Sequence, residues 1–186
     1  MSVLLSGRLA PGAGYCWLMA QQTPLDPMLW EIDRALDAGF YYLAISACLS
    51  LPAVCAALEK AHGRSERDDY KAWFNKNLAA KLTFLTADDC YSFRCGVLHQ
   101  GRFGDLQHSV QRVLIVPPGL GTFVNCKFND AYVCSVVEFC RIMTESVRNW
   151  YHANAADPNV KANVERLVRL HPNGIAPYVH GMPVIG

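Results

Sequence analysis

The sequence predicts a mainly α-helical bundle with a small β-hairpin appended. Three observations carry that expectation. Apolar residues recur at helical spacing through most of the chain. Residue types that start and stop helices bracket those stretches. Only one region, around Pro117, Pro118 and Gly119, places two β-rich runs beside a turn. At 186 residues, 52% hydrophobic and 18% charged, the chain is too apolar to be disordered and long enough for one domain with a sizeable core.

Residues 1–23 read as a poorly structured N-terminal extension, too broken by Gly and Pro for a signal peptide. Residues 24–175 form the helical domain, and 176–186 an extended tail. Asp26 caps the first helix, Pro27 takes its first position, Leu29, Ile32 and Leu36 make its apolar stripe, and Gly39 ends it. Residues 40–58 then carry no charge. A membrane span is one reading of such a run. Ser46, Ser50 and Pro52 interrupt it, and no Lys/Arg asymmetry orients it, so two buried helices broken near Pro52 are expected instead.

A charged loop follows over residues 63–69. The next helix places Tyr70, Trp73, Phe74 and Leu78 at i, i+3, i+4 and i+8, a core stripe rather than a base-stacking surface. Residues 86–101 form the helix around which the rest is organised. Thr86 and Asp89 suit a capping box, and Gly101 suits the left-handed closing position. Cys90, Phe93, Val97 and Leu98 are its expected buried stripe. Arg94 and His99 are polar groups of chemical use, roughly 140° apart around an ideal helix.

Arg112 to Val116 and Thr122 to Phe128 are the expected hairpin strands, with Gly119 to Gly121 in their turn rather than in a phosphate loop. Asn129 or Asp130 caps a long helix to about Asn154, with Val133, Val137, Cys140, Val147 and Tyr151 as its stripe. Asp157 and Pro158 open a last helix carrying Val160, Val164, Leu167 and Val168, stopped before Pro172.

Formal net charge is +1, so no global basic field marks a nucleic-acid protein, and any such binding needs a local patch. Arg102, His108 and Arg112 supply a local positive excess, readable either as an RNA track or as an ordinary solvated loop. The eight cysteines form no Cys-x-x-Cys pair and read as reduced, mostly buried small hydrophobes of a cytoplasmic protein. Cys95 and His99, at i and i+4, make half a zinc site, with His108 an outside candidate, but no second pair completes four ligands. The same two residues make a thiol–imidazole nucleophile pair without an obvious orienting third group. No metal or other cofactor is therefore expected.

Arg94-Cys95-Gly96-Val97-Leu98-His99 fits the Arg-x4-His pattern of HEPN domains. The blocks YYLAISACLSLPAVCAALE, YKAWFNKNL and DCYSFRCGVLHQG are similar, in order and wording, to a plasmid and bacterial branch of that superfamily. The resemblance runs from about Leu25 to Gly104. It implies a helical bundle that pairs as a homodimer and brings two Arg–His sets together. It further implies a metal-independent endoribonuclease of toxin or defence type, with an antitoxin protein as a further partner and no membrane. Arg94 and His99 are then the catalytic residues, and Tyr91, Arg102 and Arg112 are phosphate-binding candidates. Where many family members carry a polar residue directly after the Arg, this chain has Cys95. The alternative is a non-catalytic helical dimer that binds RNA or a partner protein.

Overall fold

A computed structural model describes residues 23–103, 109–119 and 125–186. Among them are six helices: α1 (Asp26–Asp37), α2 (Tyr41–Leu58), α3 (Arg67–Asn77), α4 (Ala87–Gln100), α5 (Val136–Asn154) and α6 (Pro158–Val164). The protein is mainly α-helical. The expected N-terminal extension, His108 and the first part of the expected second strand lie outside the described residues.

The centre is α2, which packs against α1, α3, α4, α5 and α6. Ala44, Cys48, Leu49, Leu51, Cys55 and Leu58 are sealed in the core. The expected break at Pro52 does not occur: α2 is one helix, and Pro52 is buried inside it. Proline deletes one N–H, and so one helical bond. Packing against five other helices outweighs that loss, an override of local propensity by tertiary contact. By length and composition, with mean hydropathy 1.8, α2 is apolar enough to cross a membrane; half of it is buried inside the fold.

Around this centre α1 and α3 present the faces their spacing predicts. Leu29 and Ile32 of α1 are buried. Its N-cap is Leu25 rather than Asp26, and the Asp26 carboxylate instead accepts from the Thr23 N–H at 2.7 Å. The charged loop is shorter than expected, because α3 already begins at Arg67. Tyr70, Trp73, Phe74 and Leu78 are all core. Two side chains close the bottom of the bundle. Trp150 donates its indole N–H to Glu59 at 2.7 Å, and Asn163 donates to the carbonyls of Leu58 and Lys60 at 3.1 and 2.7 Å.

The β region differs from expectation. Strands β1 (Arg112–Val116), β2 (Cys126–Phe128) and β3 (Ala131–Ser135) form one sheet in the order β1-β3-β2. The two expected strands do not pair with each other. Instead β1 runs parallel to β3, with Leu114 opposite Val133, and β2 runs antiparallel to β3, with Lys127 opposite Tyr132. The real hairpin turns at Asn129–Asp130, where Asn129 has φ +53°. Asn and Asp suit tight turns as well as helix starts, so the turn reads in sequence like a cap. The long helix consequently begins at Val136, with Ser135 as its cap, and Val133 belongs to a strand. Val137 is exposed rather than part of the buried stripe.

The last helix stops at Val164, so Val168 lies beyond it and is exposed. The chain ends in two short ladders. Strand β4 (Leu170–His171) pairs with β7 (Val184–Ile185), and β5 (Gly174–Ile175) pairs with β6 (Val179–His180). Residues 176–186 therefore dock on the segment that follows α6. Among the described cysteines none is disulfide-bonded: Cys48, Cys55, Cys90, Cys134 and Cys140 are buried, Cys95 is half-buried and Cys126 exposed.

Candidate functional site on the open face of α4

Helix α4 is fixed at both ends by local chemistry. The Thr86 hydroxyl oxygen accepts from the Asp89 N–H at 3.1 Å, and the Thr86 N–H donates to the Asp89 carboxylate at 3.0 Å, a complete capping box. Gly101 closes the helix at φ +65°, its N–H donating to the Gly96 carbonyl. Asp89 has a second task the sequence did not reveal. It is fully buried, and its carboxylate also accepts from the Ser109 N–H at 3.2 Å and from the Ser109 hydroxyl. The chain leaving the far end of α4 is thereby pinned back to its start.

Cys90, Phe93, Gly96 and Val97 face the core. Burial pushes the Cys90 thiol up to about 12, and the Tyr70 hydroxyl lies 3.3 Å from its sulfur. Leu98 is the exception to the expected stripe. It is 37% exposed, on a side of the helix that nothing among the described residues fully covers. A 3.6-residue period places Tyr91, Arg94, Cys95, Leu98 and His99 within one arc of about 140°. All five are half-buried or exposed.

Arg94 and His99 meet within that arc. Arg94 Nη1 lies 3.2 Å from His99 Nε2. A guanidinium only donates, so Nε2 accepts and the ring proton sits on Nδ1. Arg94 Nη1 is also 3.9 Å from the Cys95 sulfur, a weak acceptor. Its Nε is buried without a partner among the described residues. The guanidinium is thus held by one imidazole and one thiol, both of which an anion can outcompete.

Tyr91 is half-buried. Its ring stands edge-on to Tyr70 and under the guanidinium of Arg67 on α3, 5.6 Å from the ring centre. Burial pushes its hydroxyl up, the Cys95 thiol adds to this, and Arg94 and Arg67 pull it back. Tyr91 therefore lies between two cations. The other phosphate-binding candidates sit elsewhere. The Arg102 Nε–H donates to Gln100 at 2.8 Å, just past the end of α4. Arg112 is on β1, its guanidinium 3.9 Å from Asp130. Arg67, which pairs with Asp88 at 3.2 Å, was missed in sequence because residues 63–69 read as a loop.

The C-terminal end of the open face meets an apolar groove of about 440 Å³ between α1 and α2. Met28, Ile32, Ala35, Leu43, Ala47 and Leu98 line it, with Leu43 58% exposed. Among the described residues no three His, Cys, Asp or Glu side chains are grouped to hold a metal ion. No family model, no curated protein and no solved structure matches this chain.

Proposed function

We propose that the protein is a metal-independent endoribonuclease of the HEPN type, working as a homodimer. One observation supports this above the others: the contact of Arg94 with His99 at 3.2 Å on the exposed side of α4. It joins a permanent cation to an imidazole, a side chain that can both accept and donate a proton.

RNA brings its own nucleophile, the 2′-hydroxyl beside each phosphodiester. The enzyme needs only to move protons and stabilise charge. In the resting arrangement Arg94 occupies the lone pair of His99 Nε2. A phosphate draws the guanidinium to itself, since a charged acceptor is the stronger partner. That movement frees Nε2 to take the 2′-hydroxyl proton. The 2′-oxygen then bonds to phosphorus, and Arg94 stabilises the added negative charge. The bond to the 5′-oxygen breaks, and that oxygen takes up the proton that His99 accepted from the 2′-hydroxyl. The products are a 2′,3′-cyclic phosphate and a 5′-hydroxyl. DNA is spared because it lacks the 2′-hydroxyl.

Self-pairing through the C-terminal end of the open face suits the exposed apolar set there, Leu43, Leu98 and the groove between α1 and α2. A second copy seated on it brings two Arg94–His99 sets into one cleft.

The test is cleavage of a mixed RNA pool, with a chelator present, by wild type and by His99→Ala. Cutting by wild type with cyclic-phosphate ends, lost at least a hundredfold in the variant, is the expected result. Equal cutting by both removes His99 from the chemistry. Cys95 favours a second reading, a dimer that binds RNA or a partner protein without cutting it, because its thiol orients Arg94 only weakly. Binding without cleavage by wild type selects that reading.

A further inference from the structure

The open face of α4 does not end at Arg94. Toward its N-terminal end, α3 supplies two more cations. Arg67 lies over the Tyr91 ring, and its guanidinium meets the Asp88 carboxylate at 3.2 Å. Lys71 also pairs with Asp88. Asp88 thus faces two cations. Glu66 and Asp68 flank Arg67 on the same turn, and Asp69 is engaged by Lys60 at 2.6 Å and by the Glu66 N–H at 3.0 Å. The Arg67 side chain is 57% exposed, so its guanidinium keeps free edges toward solvent.

We infer that Arg67 binds a second phosphate of a single-stranded RNA laid along α4, neighbouring the phosphate held by Arg94 and His99. The inference rests on the ribonuclease reading for the site, and adds to it the direction of the strand and a residue that sets substrate length. Tyr91 and His99 are eight residues apart, about 12 Å along the helix. The Arg67 guanidinium lies over the Tyr91 ring, one turn of α4 before Arg94. Arg67 on α3 and Arg94 on α4 stand on either side of Tyr91's turn of α4, and cations set out in sequence along a surface track one backbone. Stacking on Tyr91 fixes the plane of the Arg67 guanidinium, and Asp88 fixes one of its edges; a phosphate takes what remains. Arg67 does not touch the reacting atoms. It is a positioning residue.

The experiment compares wild type, Arg67→Ala, Arg67→Lys and Asp88→Asn on a dinucleotide with one phosphodiester and on an octanucleotide. Arg67→Ala should raise KM at least fivefold on the octanucleotide, leave kcat within twofold, and leave the dinucleotide unchanged. Arg67→Lys should recover most of the loss. Asp88→Asn should hold or lower KM, because it removes a competing acid. If the Arg67–Asp88 pair only braces α3 against α4, Asp88→Asn will mimic Arg67→Ala, both substrates will suffer equally, and the inference is overturned while cleavage stands. If wild type cuts neither substrate, the cleavage reading fails by itself. Anisotropy of the labelled octanucleotide across a salt series then decides Arg67. A slope smaller by about 0.7 in Arg67→Ala supports the phosphate contact. An unchanged slope, or no binding by wild type, overturns it.

Discussion

Tyr42 and Val97 are 55 positions apart in sequence, and the Tyr42 hydroxyl donates to the Val97 carbonyl at 2.8 Å. Val97 lies in the last turn of α4, where carbonyls lose their helical partners. The Gly101 N–H goes to Gly96 instead. A side chain from the central helix therefore supplies the missing donor, two residues before His99.

Tyr42→Phe should lower stability by about 0.5–1 kcal/mol, a modest loss because Tyr42 is 54% exposed. Urea unfolding reads it. The same variant should loosen the last turn of α4, seen as faster amide exchange at Gly101 and Arg102. Unchanged exchange there would show that the bond does not hold the helix end.

Asp89→Asn keeps the shape of a buried side chain but puts an amide where a carboxylate accepts from Thr86 and Ser109. One capping bond is lost and donors are left facing donors. The expected cost is about 1–3 kcal/mol, read by thermal or urea unfolding. A variant as stable as wild type would mean that Ser109 is anchored by other contacts.

Alkaline pH should destabilise the fold. Burial pushes the Cys90 thiol up to about 12 from an ordinary value of 9.0, and burial likewise raises Cys48 and Cys55. These groups are raised in the folded state, so their contribution is complete below the unfolded value and is lost as pH climbs through the folded one. Between about pH 9 and about pH 12 the unfolded thiol ionises while the folded Cys90 stays neutral. The urea midpoint, measured with reductant present, should fall from about pH 8 to about pH 10. Cys90→Ala should lie lower at neutral pH but fall less steeply, and a wild-type midpoint that holds steady would count against ionisation of the buried thiols.

Cys95→Ala should keep RNA cleavage within about threefold of wild type, because the sulfur only touches Arg94 at 3.9 Å. Abolished cleavage would move the chemistry to the thiol. Cys95→Asn offers Arg94 a stronger acceptor and should raise the rate a few-fold. The assay is initial rate on one RNA at fixed protein concentration.

Where local chemistry decides conformation, the sequence was legible. Thr86, Asp89 and Gly101 mark both ends of α4, and Tyr70, Trp73, Phe74 and Leu78 mark the buried side of α3, without reference to the rest of the chain. Pro52 misled because its cost is local and fixed, while the packing that overrides it comes from five other helices. Asn129 misled because one residue type serves turns and caps alike. The parallel pairing of β1 with β3 depends on a strand that no alternation in the sequence sets apart from the helix after it.

The site shows the same division. Arg94 and His99 stand out by spacing, yet their contact depends on side-chain reach, since an ideal helix holds them well apart. Leu98 sits beside Val97 on the apolar stripe, yet it is exposed because no described element packs over it. Arg67 reaches the site across the α3–α4 packing, a relationship no window of sequence contains.

The central position of α2 bears on how the chain must be made. Its 18 uncharged residues leave the ribosome early, while α5, one of its main walls, is complete only about 100 residues later. At about 5–20 residues per second that is an interval of several seconds or more. During it, a stretch apolar enough to enter a bilayer lacks α5, one of its main packing partners. Yield in a host should therefore depend on chaperones that hold nascent apolar segments. Synonymous codons that slow elongation between Leu58 and Val136 should lower soluble expression without changing a single residue.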